Sequence, residues 1–175
     1  GAAPAVEGDR VYFCSVGGRV WAIDWRDTTY PLERGILFWQ TNLYLWGMLS
    51  KPPVQKGSVW SRRVGGDVRH TPAIAHHTVY VTTSRGKVVA LDAATGTERW
   101  RADVGVNISA APTIAGPVVL IGTASGLVFG LDAHTGQLLW ELKTEGKITG
   151  SPIVAGDTMY VASHDGALYA VTRSE

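Results

Sequence analysis

An all-β chain of repeated four-stranded antiparallel sheets is what this sequence predicts, and three observations predict it. Trp60, Trp100 and Trp140 recur at a step of 40 residues, and the same step separates Pro72, Pro112 and Pro152, and Gly86, Gly126 and Gly166. Residues 76–115 and 116–155 align without a gap and share 13 of 40 positions. Each repeat alternates short runs of β-branched and aromatic residues with glycine-bearing turns, and no segment outside one insertion keeps a helical period over three turns. A 40-residue period lies in the range of four-stranded propeller blades, so the chain is expected to be an arc of a β-propeller.

The elements follow in order within each repeat. After the proline comes a short apolar inner strand around Ile74, Ile114 or Val154. The second strand is Val79-Tyr80-Val81, Val119-Leu120-Ile121 or Met159-Tyr160-Val161. Ser84-Arg85-Gly86, Ala124-Ser125-Gly126 and His164-Asp165-Gly166 then make tight turns, where glycine suits a positive φ. A third strand runs over 87–91, 127–131 or 167–171, and Asp-Ala-x-Thr-Gly turns into a fourth ending at Trp100 or Trp140. Residues 3–24 form an earlier repeat, with Pro4 and Gly18 each 68 positions before Pro72 and Gly86, so 28 residues are inserted between Asp24 and Trp60. The expected blades are 1–66 (with the insertion at 25–59), 67–106, 107–146 and 147–175, the last lacking its outer strand.

Leu91-Asp-Ala-Ala-Thr-Gly-Thr-Glu-Arg-Trp100 and Leu131-Asp-Ala-His-Thr-Gly-Gln-Leu-Leu-Trp140 resemble the tryptophan-docking motif of the quinoprotein, or PQQ-like, β-propeller repeats. In that family the tryptophan of one blade packs against the turn of a neighbour. The resemblance implies that Trp60, Trp100 and Trp140 are docking residues, that Gly96 and Gly136 provide the turns, and that Asp92 and Asp132 cap them. The first repeat departs, because Asp24 is followed by Trp25-Arg26-Asp27-Thr28 and lacks the Thr-Gly pair. Family members usually have seven or eight blades. A closed four-bladed ring, a pairing of two arcs and a piece of a longer chain all fit; the start without signal peptide or initiator Met favours the last.

The composition excludes several classes. Sixteen basic against 15 acidic residues, a formal net charge of +1, give no electrostatic footprint for nucleic acid. One cysteine, Cys14, excludes an intrachain disulfide, a CxxC metal motif and the vicinal cysteine pair of many PQQ-dependent dehydrogenases. The five histidines (His70, His76, His77, His134, His164) form no HxH or HExxH and read as turn residues, so no metal site is expected. Gly17-Gly18 and Gly65-Gly66 precede no helix and fit strand-connecting turns, and no GxSxG elbow is present. No catalytic residue and no cofactor are expected, and the chain is not expected to be an enzyme.

Two candidate binding features remain. Asp67, Arg69, Asn107 and Lys147 precede the prolines on the innermost strands, where they form either a solvated channel rim or a ligand site. In the insertion, Gly35–Leu49 has ten apolar or aromatic residues of fifteen, with Ile36, Trp39, Leu43 and Trp46 at helical spacing. Fifteen residues are too few to span a bilayer, and Lys51-Pro52-Pro53 ends any helix. Phe38, Trp39, Leu43, Tyr44 and Trp46 would form an arm that docks on a partner protein, or one that packs on its own blades; membrane contact fits less well because no charged face accompanies the apolar one. The expected function is a non-catalytic scaffold in an extracytoplasmic bacterial assembly, similar in repeat type to the outer-membrane-barrel assembly lipoprotein. Its partners would be other protein subunits or further blades of the same ring. A piece of a PQQ-dependent dehydrogenase and a ligand-sensing domain of a bacterial receptor or kinase are the alternatives.

Overall fold

The computed structural model describes residues 2–27, 33–48 and 57–172, with the backbone alone for 33–38; Lys51-Pro52-Pro53 and the Phe38 side chain lie outside the described residues. The first sheet has the order β1 (Ala5–Glu7), β2 (Arg10–Cys14), β3 (Arg19–Asp24), β4 (Ser58–Arg63), with α1 (Glu33–Leu45) between β3 and β4. The second is β5 (Ala73–Ala75), β6 (Thr78–Thr82), β7 (Lys87–Asp92), β8 (Glu98–Asp103). The third is β9 (Thr113–Ala115), β10 (Val118–Gly122), β11 (Leu127–Asp132), β12 (Leu138–Lys143). The fourth has three strands, β13 (Ile153–Ala155), β14 (Thr158–Ala162) and β15 (Leu168–Thr172). All pairings are antiparallel between neighbours in sequence, so the chain is an all-β propeller arc of meander blades.

The registers repeat with the sequence. Ala22 pairs with Trp60, Ala90 with Trp100 and Gly130 with Trp140, and each third-to-fourth strand pair carries a register shift just after that position. Strand alternation sends successive side chains to opposite faces, so each sheet has two apolar faces and each interior junction joins one face to the opposite kind. Tyr12, Val20 and Ala22 of the first blade pack on Val79, Val81, Val89 and Leu91 of the second. Tyr80, Val88 and Ala90 pack in the same way on Val119, Ile121, Phe129 and Leu131. Leu120 and Val128 complete the series against Met159 and Val161. The core is therefore three sheet-on-sheet junctions rather than one central cluster.

The turns set the spacing. Gly18, Gly86 and Gly126 take φ values of +73°, +84° and +79°. A Cβ on Gly126 would meet the Gly146 carbonyl oxygen at 2.5 Å, because the loop leading to the next blade is clamped there by Thr144 N–H donating to Gly126 O. His76 and His77 make the two-residue turn between β5 and β6 with φ of 50° and 54°, a left-handed pair that non-glycine residues adopt at a cost.

Candidate functional site

Two of the three repeated indoles close a junction in the same way. Trp60 and Trp100 are each 9% exposed. Their Nε1–H groups donate to Ala93 O at 3.0 Å and Ala133 O at 2.8 Å, in the turn of the next blade. Tyr12 and Tyr80 hydroxyls donate to the same two carbonyls at 3.1 and 3.2 Å, and Arg10 adds a third donor to Ala93 O at 3.0 Å. The rings lie flat on glycine: a Cβ on Gly96 or Gly136 would come within 2.5 Å of the Trp60 or Trp100 ring, and both glycines have positive φ. Position 12, 80 and 160 is tyrosine in three of the four repeats, which is the sequence signal for this shared acceptor.

Aspartates hold the receiving turns. Asp92 Oδ1 accepts from the backbone N–H of Ala94 and Thr95 and from the Thr95 hydroxyl, at 2.9–3.0 Å. Asp132 does the same with His134 and Thr135 at 2.8–3.0 Å. Arg99 Nη2 sits 2.7 Å from Asp92 Oδ2. That guanidinium, with the Thr95 backbone N–H, lowers the Asp92 carboxyl to about 2. Asp132 is also held below the ordinary carboxylate range, chiefly by the Thr135 N–H, and lacks an arginine because Leu139 stands where the preceding repeat has Arg99.

Trp140 differs. It is 37% exposed, beside a groove of about 650 Å³ lined by Leu139, Leu142, Met159, Val171 and Ala115 among others. The described residues hold no fourth-blade outer turn for it to enter. Its ring lies instead over Gly130, directly opposite in the sheet, where a Cβ would meet it at 2.3 Å.

The candidate rim residues Asp67, Arg69, Asn107 and Lys147 lie in the segments before β5, β9 and β13 rather than on those inner strands, and they do not act as a set. Arg69 pairs with Asp67 at 3.3 Å, both largely in solvent. Asn107 and Lys147 are exposed and serve their blades through backbone carbonyls that accept from Ala124 and His164 N–H. Thr149 and His164 are joined by a 2.7 Å hydrogen bond, and Ser109 donates to Ile148 O. Among the described residues no three His, Cys, Asp or Glu converge on a point that could hold a cation. Among the described residues, His70 Nδ1 and Thr82 Oγ1 are buried with no hydrogen-bond partner. Burial and the neighbouring Arg69 lower the His70 pKa. Burial likewise pushes the Cys14 thiol up to about 12, which leaves it protonated and unreactive.

The insertion forms the 13-residue helix α1, over the stretch where Ile36, Trp39 and Leu43 recur at helical spacing. It ends in a two-bond glycine cap, with Met48 N–H donating to Leu43 O at 2.9 Å and Gly47 N–H to Tyr44 O at 3.0 Å, and Gly47 at φ +75°. Trp39 and Trp46 are 61% and 63% exposed, Tyr44, Leu45 and Met48 are also exposed, and Leu43 is half-buried. Among the described residues, no helix is long and apolar enough to cross a membrane.

The family model described as outer membrane protein assembly factor BamB matches residues 33–175. BamB from Moraxella catarrhalis superposes with a TM-score of 0.69 at 22% identity, covering 94% of this chain and 43% of that one. The computationally designed Ika4 protein has a TM-score of 0.72 at 16% identity, covering 99% and 92%. A europium-containing methanol dehydrogenase has a TM-score of 0.58 at 26% identity, covering 82% and 24%. The chain thus spans less than half of the BamB it resembles. No curated protein matches in sequence.

Proposed function

The chain belongs to the family of the outer membrane protein assembly factor BamB, with PQQ-like β-propeller repeats, and from that premise we propose that it is a non-catalytic, protein-binding scaffold of an extracytoplasmic bacterial assembly. The observation that carries this reading is the helical arm inserted in the first blade, which leaves Trp39, Trp46 and Tyr44 exposed outside the repeat. Large aromatic side chains in solvent cost free energy unless a partner covers them, and Trp and Tyr dominate the energetics of protein interfaces. The arm is the docking element, and the blades fix its place.

Photo-cross-linking from position 48, next to the exposed tryptophans, in periplasmic and outer-membrane extracts tests this. The expected result is a discrete protein adduct that the variant Trp39→Ala/Trp46→Ala abolishes while its melting temperature stays within about 2 °C of the parent. A fall of more than about 5 °C would place these tryptophans in the chain's own packing and overturn the docking role.

A second reading, part of a PQQ-dependent dehydrogenase, draws support from the methanol dehydrogenase likeness at 26% identity over 82% of the chain. It predicts a raised melting temperature and a shifted quinone absorption when the chain is mixed with PQQ and calcium or a lanthanide. The scaffold reading predicts neither change.

A further inference from the structure

Arg101 bridges the first junction. Its Nε–H and Nη2–H donate to Glu98 at 3.0 and 2.7 Å, and its Nη1–H donates at 2.7 Å to the carbonyl of Val64, the residue after the outer strand of the preceding blade. Val64 is 1% exposed, and Gly96 in the docking turn is buried. One guanidinium thus ties a carboxylate of the second blade to a main-chain oxygen of the first.

The second junction joins two whole four-stranded blades by the same pairing, but its residues differ. Forty positions on, Glu141 stands at the place of Arg101, Leu138 at that of Glu98 and Val104 at that of Val64. The register is kept, since Phe129 pairs with Glu141 as Val89 pairs with Arg101. A carboxylate has no N–H to give, so position 141 offers nothing to the Val104 carbonyl. A groove of about 450 Å³ lies here, lined by Val104, Phe129, Leu138 and Glu141 among others. Leu138 is 55% exposed, and Val104 and Gly136 are half-buried where Val64 and Gly96 are buried. The charge reverses as well. Arg62, Arg63 and Arg101 with Glu98 become Ala102, Asp103 and Glu141 with Leu138, and no basic residue lines the groove.

We infer that this groove binds an arginine side chain presented by a partner protein. The guanidinium takes from outside the chain the place that Arg101 holds within it, paired with the Glu141 carboxylate and donating to Val104 O. Its methylene stem lies along Phe129 and Leu138, as long basic side chains lie on apolar surface. A guanidinium is planar, weakly hydrated and carries five donors, so one group serves a carboxylate and a carbonyl together; an ammonium is a compact, strongly hydrated point charge. The site belongs to the second and third blades and owes nothing to the helical arm.

Titration of the 175-residue chain with a capped Gly-Arg-Gly tripeptide, followed by amide NMR shifts, tests this. Saturable shifts are expected at residues 104–106, 129 and 138–141, with a Kd of about 1–10 mM, the range open to a single side chain. A capped Gly-Lys-Gly tripeptide should bind at least about threefold more weakly, and so should free arginine, whose own carboxylate meets Glu141. Glu141→Gln should weaken the arginine peptide at least about fivefold. Leu138→Glu/Glu141→Arg rebuilds the side chains of the first junction and should abolish binding. Trp39→Ala/Trp46→Ala should bind the peptide as the parent does, so the groove and the arm can fail separately. The proposal is overturned by an absence of saturable shifts at the groove, by equal affinity for the lysine peptide or for free arginine, or by unchanged affinity in either position-141 variant.

Discussion

Gly136→Ala separates the docking of Trp100 from the ordinary cost of a left-handed residue. Gly136 sits at φ +74°, and a Cβ there would come within 2.5 Å of Cε3 and 2.7 Å of Cδ2 of Trp100, so the indole must lift. Gly105, at φ +72°, has nothing within 4 Å of the same added atom and serves as the control. Alanine in the left-handed region costs about 1–2 kcal/mol at either site. At Gly136 the lifted ring also loses its hydrogen bond to Ala133 O, worth about 1 kcal/mol. Uncovering roughly 60 Å² of indole adds about 1.5 kcal/mol at 25 cal/mol per Å². The expected losses are about 4 kcal/mol for Gly136→Ala and about 1.5 kcal/mol for Gly105→Ala. Urea unfolding followed by far-ultraviolet circular dichroism measures both, with unchanged slopes required for the comparison. Equal losses at the two glycines would refute docking as an energetic element and leave the ring a passive neighbour of the turn.

Three further outcomes follow from the same structure. Asp92→Asn should cost about 0.5–1 kcal/mol at neutral pH through loss of the Arg99 pair; because the folded carboxyl is lowered to about 2 from 3.8, that stability is present above about pH 4 and fades as pH falls toward 2, so parent and variant melting temperatures should converge in acid. Replacing His76-His77 by Asn-Gly, which fits two consecutive positive φ values, should stabilise the chain by about 1 kcal/mol in thermal melts, and a loss would show that the imidazoles are held by contacts worth more than the turn strain. Thr82→Val removes the unpartnered hydroxyl at nearly constant shape and should raise stability by about 1 kcal/mol in chemical unfolding, whereas a loss would reveal a buried water or group hydrogen-bonded there.

The repeat was legible because its marks are imposed by the backbone. Gly86 and Gly126 recur where φ is positive and the next blade's loop sits against them, and Trp60 and Trp100 recur where an indole must lie on Gly96 and Gly136. Such constraints fix residue type and spacing together, so they survive in the sequence as a period. The repeat spacing also puts Asp67, Arg69, Asn107 and Lys147 at matching places, in the segments before β5, β9 and β13. What spacing does not carry is who pairs with whom: Asp67 takes Arg69 within its own strand entry, while Thr149 takes His164 from the following turn. The carbonyls that gather the tyrosine and tryptophan donors were missed for the same reason. An acceptor on the main chain leaves no residue type behind, and only the tyrosines at 12, 80 and 160 point to it.

Trp140 shows how the same motif residue takes a different role when its surroundings change. Opposite Trp60 and Trp100 stand Ala22 and Ala90; opposite Trp140 stands Gly130, which leaves room for the indole to lie down on its own sheet. At the second-strand position where Tyr12 and Tyr80 share the turn acceptor, the third blade has Leu120, so no hydroxyl competes for or marks a receiving carbonyl. The third junction is accordingly held by its aliphatic faces, Leu120 and Val128 against Met159 and Val161, rather than by indole hydrogen bonding. Two junctions are therefore locked by several donors to one carbonyl, while the third combines its aliphatic faces with dispersed bonds such as Thr113 Oγ1–H to Pro152 O at 2.7 Å and Ile148 N–H to Thr123 O at 3.1 Å. The groove beside Trp140 lies along the junction between the third and fourth blades, lined by Leu139 and Leu142 on one side and Met159 and Val171 on the other.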